Sequence, residues 1–299
     1  MAKTNEQSLF HFTTGIISQL ERRGKHRTSE TYRATLKSFM HFCKNKDVTV
    51  NQIDSDLMLM YEAWLHNRGV CKNSSSFYLR ILRAVYNRAV EKKLTANLYP
   101  FKHVYTGVDK TVKRALPITS IKKIKHLDLT GKPSLDFTRD VFLFSFYTRG
   151  MSFIDMAHLR KKDLQNNILV YRRHKTGQQL CIKWETCMQD FIDKHATAPS
   201  NPYLLPILTH PDDRNQYRNT ITRTNRQLKE IARLAGLQVP LTLYVARHSW
   251  ASIAKSKRVP LSVISEGMGH DSERTTQIYL ASLDNAVVDR ANRMILKDL

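Results

Sequence analysis

Three short clusters in the last third of the chain combine residue types that can handle a phosphate group: YVARHSWAS at 244–252, GMGH at 267–270 and TTQIYL at 275–280. A guanidinium such as that of Arg247 can donate two parallel N–H bonds to two phosphate oxygens. His270 can donate a further hydrogen bond, and Lys175, in a predicted turn, can act as a general acid. Phosphoryl transfer is accelerated chiefly by positioning and by cations placed where negative charge grows. These residues therefore indicate chemistry on a phosphodiester.

The overall charge of the chain fits a polyanionic partner. Of the 299 residues, 48 are lysine or arginine and 26 are aspartate or glutamate, which gives a formal net charge of +22. Both halves of the chain are basic, so a disordered basic tail is not the source. Folded positive charge on two domains indicates a nucleic acid, because each neutralised phosphate releases counterions. The alternative is basicity that only serves solubility.

Composition excludes several other classes of protein. A hydrophobic fraction of 41% and a mean hydropathy of −0.43 are ordinary for a folded chain and exclude disordered or collagen-like proteins. No run of about 18 apolar residues predicts a membrane span, and the first residues lack the plan of a secretion signal, so a cytoplasmic protein is expected. The cysteines form no CxxC pair, which argues against a disulfide framework or a zinc site. With no Gly-rich phosphate loop or magnesium-binding carboxylate cluster, we expect no cofactor and no metal.

Together with Lys175, the three clusters resemble the tyrosine recombinase (phage integrase) family. In the run GHDSERTTQIY, at 269–279, the spacing from His270 to Tyr279 matches the family's spacing between its late histidine and its nucleophile. The resemblance implies that the Tyr279 hydroxyl attacks a DNA phosphodiester while Arg247 and His270 hold the phosphate oxygens. It also implies that Lys175 protonates the leaving 5′ oxygen. The covalent phosphotyrosine conserves the bond energy, so resealing needs neither ATP nor a metal.

Two positions depart from the family pattern. Tyr244 stands where most members have the histidine of an HxxR motif; a tyrosine can hydrogen-bond there but cannot act as a cation. Ser152, in TRGMSFID, takes the place of the family's first arginine. Arg149, three residues earlier, is expected to supply a substitute charge, the alternative being a structural cation at a helix C-terminus. With a serine at this position, the chain resembles a branch of recombinases from Bacteroidetes mobile elements and DNA inversion systems.

The elements that must position these residues are mainly helical, with one small antiparallel β-sheet (α+β). Residues 1–105 are predicted to form a helical core-binding (SAM-like) domain, 106–116 a linker and 117–299 the tyrosine recombinase catalytic domain. Apolar spacing predicts helices at 10–21, 29–45, 54–67, 73–94, 134–147, 153–159, 185–195, 214–235, 245–255 and 284–296. Strands at 168–172 and 179–184 flank the turn HKTGQ, which contains Lys175. The apolar stripe of the last helix is expected to dock on a neighbouring subunit, or else on its own domain.

Other basic side chains are expected to contact DNA. The alternative for those on the helix at 73–94 is a solvated charged face. The predicted contacts are Arg80, Arg83, Arg88, Lys102, Lys113, Arg114, Arg172 and Arg173, with His248 in a supporting role.

The predicted function is site-specific cleavage and rejoining of DNA strands through a covalent 3′-phosphotyrosine. The expected partners are double-stranded DNA with a specific core site and three further copies of the chain, which make a homotetramer on two DNA sites, with or without an accessory DNA-bending protein. The first domain leaves no room for an additional arm-binding domain, which favours a simple recombinase or invertase. Two alternatives stay open: a DNA-relaxing enzyme like a type IB topoisomerase, and a catalytically inactive DNA-binding relative.

Overall fold

The computed structural model describes residues 7–109, 114–210, 213–270, 272–280 and 296. The chain divides into two compact units, Met1–Thr111 and Val112–Leu299. Among the described residues, no helix has both the length and the apolar character that a membrane crossing needs. The mainly helical fold with one small antiparallel sheet agrees with the predicted fold class.

The N-terminal unit packs its helices around an aromatic core. Its helices are α1 (Leu9–Arg22), α2 (His26–Phe42), α3 (Ser55–Asn67) and α4 (Lys72–Glu91). The rings of Phe39 and Tyr61 are fully buried and meet nearly at right angles, with centroids 5.0 Å apart. The Asp54 side chain caps α3 by accepting a hydrogen bond from the backbone N–H of Leu57 at 2.8 Å, which is the cap that its sequence position favours.

The start of α2 differs from the prediction. The helix begins at His26, three residues before the predicted start, and Ser29 is a buried helical residue. The reason is the connection from α1, which turns at Gly24 with a φ of +68° and leads directly into the new helix. Apolar spacing could not show this, because the first turn of α2 is polar.

The residues just before the predicted linker, and the described ends of the linker, each make contacts within their own unit. Phe101 and Val104 are buried in the core of the N-terminal unit. The backbone N–H of Asp109 donates to the Asn73 side chain at 2.7 Å, and that side chain donates back to the Asp109 carbonyl at 3.0 Å. In the second unit, the N–H of Leu116 donates to the buried hydroxyl of Ser249 at 2.9 Å.

The C-terminal unit combines eight described helices with a three-stranded antiparallel sheet in the order β1-β2-β3. The strands are β1 (Leu164–Gln165), β2 (Ile168–Arg172) and β3 (Gln179–Lys183), and the helices are α5 (Ile118–Lys125), α6 (Pro133–Tyr147), α7 (Phe153–His158), α8 (Thr186–Lys194), α9 (Arg214–Leu234), α10 (Leu243–Ser256), α11 (Leu261–Met268) and α12 (Glu273–Leu280). The predicted hairpin is therefore present. Helices α5, α11 and α12 were not predicted, and the helix predicted at 284–296 lies outside the described residues except for Leu296.

Two contacts fix the helices that surround the candidate site. Helix α6, with Phe142 and Phe144 fully buried, packs against α10. Helix α12 is attached at its end, where Leu280 is buried with residues of α10 and α11. The Lys255 ammonium donates to the Leu280 carbonyl at 2.9 Å, so the last turn of α12 is hydrogen-bonded to α10.

Candidate active site

Arg247 is the centre of a buried polar cluster in the C-terminal unit. It lies on α10 and is only 5% exposed. Its Nη1 donates to the carbonyl of Gly150 at 2.8 Å, and its Nη2 donates to the carbonyl of Met268 at 2.6 Å. A buried guanidinium needs such acceptors because its charge has lost water. The residue therefore joins the turn after α6 to the end of α11.

The turn after α6 approaches Arg247 so closely that it needs glycine. Gly150 has a φ of +76°, and a Cβ on it would lie 2.5 Å from the Cα of Arg247. Arg149 also has a positive φ, +61°, which is uncommon for a residue with a side chain. The sequence RGM thus turns the chain sharply between α6 and α7 and directs the Gly150 carbonyl at Arg247.

His270 follows the end of α11 and contacts Arg247 directly. Helix α11 ends at Gly269, which is left-handed with a φ of +62°. The Nε2 of His270 lies 3.0 Å from the Nη2 of Arg247, and its Nδ1 lies 2.7 Å from the Oγ1 of Thr276. Burial, followed by the positive charges of Arg247, Arg173 and Lys175, lowers the pKa of His270 to about 4. The ring is therefore neutral at pH 7.

The hairpin turn brings Lys175 to the same region. Lys175 is exposed in the turn between β2 and β3, and its charge contributes to the lowered pKa of His270. The neighbouring His174 backbone N–H donates to Asp155 at 2.8 Å, which attaches the turn to α7. A further bond from the Gly177 N–H to the Arg173 carbonyl, at 2.8 Å, closes the turn.

Arg173, which was expected to contact DNA, is buried. Its side chain is only 7% exposed, and its Nη1 donates to the carbonyl of Gly269, next to His270. Its buried Nε has no hydrogen-bond partner among the described residues. Arg173 therefore lies in the buried cluster with Arg247, not on an outer face.

Arg149 is half-buried near α11. The Cδ of its side chain would lie 3.6 Å from a Cβ on Gly267. Burial and then the charge of Asp155 raise the pKa of the Tyr171 phenol, and the charges of three arginines oppose this rise. These arginines are Arg173, Arg247 and Arg149. Three guanidiniums thus act on one buried phenol.

Ser152 has a structural partner. It is the N-cap of α7, and its hydroxyl donates to the Oδ2 of Asp155 at 2.6 Å while accepting the Asp155 backbone N–H at 3.4 Å. Burial tends to raise the pKa of Asp155, but hydrogen bonds from His174 and Ser152 outweigh it, so the pKa lies below its usual value. The serine at the first-arginine position therefore holds an ionised aspartate.

Tyr244 and His248 form a pair on one face of α10. Tyr244 is 56% exposed, and its ring lies perpendicular to that of His248 with centroids 4.6 Å apart. His248 is itself buried, at 7% exposure. His248, which was expected in a supporting role at the DNA, therefore packs against Tyr244.

Two predicted site residues fall on undescribed parts of the chain. The backbone of Tyr279 belongs to α12, but its side chain lies outside the described residues, as does all of Lys113.

The other predicted DNA contacts differ in exposure. Arg83, Lys102, Arg114 and Arg172 are exposed, whereas Arg80 and Arg88 are half-buried. The Arg88 guanidinium lies 5.7 Å over the ring of Tyr32, and Arg83 donates to the hydroxyl of Thr106 at 2.9 Å. Placement thus favours the exposed residues as backbone contacts and gives Arg88 a packing role.

Three further residues at the site, Thr276, Gly150 and Gly269, were not among the predicted site residues. The two glycines could have been found from the sequence, because Gly150 follows Arg149 and Gly269 precedes His270. The contact of Thr276 with His270 joins residues six positions apart at the start of α12, a helix that apolar spacing did not predict.

Comparison with known proteins identifies the family. Residues 8–104 match the phage integrase SAM-like domain, and residues 123–286 match the phage integrase family. The chain belongs to the phage integrase family. This confirms the predicted tyrosine recombinase resemblance, and with it an enzyme of site-specific DNA recombination.

Individual relatives are similar in sequence to this chain over most of their length. The tyrosine recombinase XerC of Rickettsia canadensis (strain McKiel) is 26% identical over 274 residues, which are 87% of this chain and 88% of the relative. XerC of Rickettsia conorii (strain ATCC VR-613 / Malish 7) is 24% identical over 295 residues, with 93% of each chain covered.

Solved structures share the fold. A lambda integrase dimer bound to a COC′ core site superposes with a TM-score of 0.72 at 15% identity, covering 92% of this chain and 78% of that chain. XerH bound to palindromic difH substrate, in a post-cleavage complex, gives a TM-score of 0.68 at 17% identity, covering 92% and 84%. The predicted fold of a tyrosine recombinase is confirmed.

Proposed function

We propose that this recombinase cleaves DNA by attack of Tyr279 on a phosphodiester held by Arg247 and His270. The observation that carries the proposal is the 3.0 Å contact between Arg247 and His270 inside a buried, positively charged cluster. As the bond between Tyr279 Oη and phosphorus forms, the bond from phosphorus to the 5′ oxygen breaks. The Lys175 ammonium gives that oxygen a proton, and the proton that the Tyr279 phenol loses to solvent balances it. Rejoining is the reverse attack by a 5′ hydroxyl.

Arg173, and not Arg149, is the better candidate for the missing guanidinium. Ser152 is bonded to Asp155, so it leaves one charged donor too few at the family's first-arginine position. Arg173 is buried beside Gly269, its charge reaches His270, and its Nε has no partner among the described residues. A phosphate oxygen is the acceptor that such an N–H lacks. Arg149 remains a third positive charge at the edge of the site.

The partners follow from this chemistry. The substrate is double-stranded DNA with a specific core site, and the exposed Arg83, Lys102, Arg114 and Arg172 contact its backbone. Assembly as a homotetramer on two sites is supported by the likeness to a lambda integrase, which was solved as a tetramer bound to a Holliday junction. The Bacteroidetes-type branch, the cytoplasmic location and an accessory DNA-bending protein belong to the same proposal.

A nicked suicide substrate tests the reaction against both alternatives. The wild-type chain should form an SDS-resistant adduct on DNA with its core site and not on unrelated DNA, while Tyr279→Phe should bind without forming one. Adducts on any sequence, with relaxation of supercoiled plasmid, would indicate a topoisomerase. Binding without any adduct would indicate an inactive relative.

A further inference from the structure

The hydroxyl of Thr276 is buried against the candidate site. Thr276 lies on α12, three residues before Tyr279, and is 0% exposed. Its Oγ1 lies 2.7 Å from the Nδ1 of His270. The adjacent Thr275 is exposed, and its Oγ1 lies 3.3 Å from the Oγ of Ser272. Of these two neighbouring threonines, Thr276 contacts His270, whereas Thr275 contacts Ser272.

Both ring nitrogens of His270 are occupied, and this decides where its hydrogen lies. A guanidinium can only donate, so the Nε2 of His270 must accept the hydrogen bond from Arg247. A neutral imidazole has a single N–H, which is then on Nδ1. Its acceptor is the Oγ1 of Thr276. Without that acceptor, the ring gains access to the other tautomer, in which Nε2–H would face the N–H groups of Arg247.

We propose that Thr276 is a positioning residue of the cleavage reaction, which holds His270 in the Nδ1–H tautomer with Nε2 directed at Arg247 and at the phosphate that Arg247 binds. The inference rests on the function proposed above. Because Thr276 and Tyr279 belong to one helix, the same hydrogen bond ties the histidine to the helix of the nucleophile.

The charges around His270 explain why a fixed ring is useful. Arg247 from α10, and Arg173 and Lys175 from the hairpin, act on the buried ring with positive charge. A bound phosphate adds negative charge and favours uptake of a proton at Nε2. The protonated Nε2 then gives up the hydrogen bond from Arg247 and donates to a phosphate oxygen, while Nδ1–H stays on Thr276. Thr276 accepts in both protonation states, so it holds the ring before and after protonation.

The test compares Thr276→Val with Thr275→Val in the full chain. Nitrogen-15 NMR of histidine-labelled protein without DNA reads the tautomer of His270. Wild type and Thr275→Val should show Nδ1–H, Thr276→Val should shift toward Nε2–H, and Thr276→Ser should restore the wild-type state. Single-turnover cleavage of the suicide substrate should slow by about tenfold or more in Thr276→Val, at unchanged DNA affinity, since a buried donor loses its acceptor.

Two results would overturn the proposal: a wild-type cleavage rate in Thr276→Val, or an unchanged His270 tautomer in that variant. If Thr276→Val does not fold, Thr276→Ser decides, since it must keep both the tautomer and the rate. The tautomer measurement needs no DNA. A clear tautomer shift in a protein that never forms an adduct would support the coupling of Thr276 to His270 and contradict the proposed function alone.

Discussion

Gly150 and Arg247 are in backbone contact, because a Cβ on Gly150 would lie 2.5 Å from the Cα of Arg247. The contact places the Gly150 carbonyl on the Arg247 guanidinium at 2.8 Å. The turn after α6 and Arg247 are therefore positioned by each other.

Gly150→Ala should destabilise the protein and disable the site together. Gly131 is a matched control, since its φ of +75° is close to the +76° of Gly150 but nothing lies within 4 Å of its added Cβ. Gly131→Ala should lose about 1 to 2 kcal/mol for the left-handed conformation alone. Gly150→Ala should lose about 1 to 3 kcal/mol more for the clash. Thermal unfolding measures both losses, and equal melting temperatures in the two variants would contradict the contact.

Arg173→Lys should lower single-turnover cleavage by about a hundredfold or more, because lysine keeps the charge but loses the planar fork at the phosphate. Arg149→Lys should be milder, and the exposed Arg172→Lys should be close to wild type. DNA affinity should change little in all three. A larger loss of cleavage rate in Arg149→Lys than in Arg173→Lys would show that Arg149, and not Arg173, supplies the second guanidinium.

Ser152→Ala should lower stability more than activity. The variant loses the N-cap of α7 and the 2.6 Å bond to Asp155, which costs about 1 kcal/mol for a typical cap. Cleavage by the folded variant should stay within a few-fold of wild type. The opposite pattern, an unchanged melting temperature with cleavage reduced about a hundredfold, would show that the hydroxyl contacts the phosphate.

His270 should make the protein less stable in acid. Its pKa is about 4 in the folded chain and 6.5 for an ordinary histidine. The unfolded chain therefore binds a proton first as the pH falls, and the stability that comes from the neutral ring, present above about pH 6.5, is lost between pH 6.5 and pH 4. His270→Gln should show a shallower fall of unfolding free energy over this range. An NMR titration of His270 in the DNA-free protein with a midpoint near 6.5 would contradict the buried, positively charged setting.

Features of the site that depend only on a short stretch of sequence could be predicted. Arg247, His270 and Lys175 could be predicted because each stands in a short motif, and the strands could be predicted from the apolar residues that flank the HKTGQ turn. The helix predicted at 54–67 begins after Asp54, whose side chain caps it within one turn. Because each of these signals lies within a short stretch of sequence, it can be recognised without the tertiary structure.

Other features depended on tertiary packing. Arg173 looks like any basic residue at the end of a strand, and only the packing of the hairpin against Gly269 buries it. Helix α5 has its two buried residues, Ile121 and Ile124, at helical spacing, but it is only eight residues long, so the periodic pattern is too short to be distinctive. Arg149 is close to Ser152 in the sequence, whereas Arg173, which we propose for the missing guanidinium, belongs to the hairpin and is buried against Gly269.

The identity of the DNA-linked residue tests the central claim most directly. The wild-type chain should be trapped on a nicked suicide substrate, digested with protease and analysed by mass spectrometry. The account predicts one nucleotide-linked peptide, which contains Tyr279 with the phosphate of the 3′ strand end on its phenol oxygen. Linkage to a different residue, or to a 5′ phosphate, would contradict it.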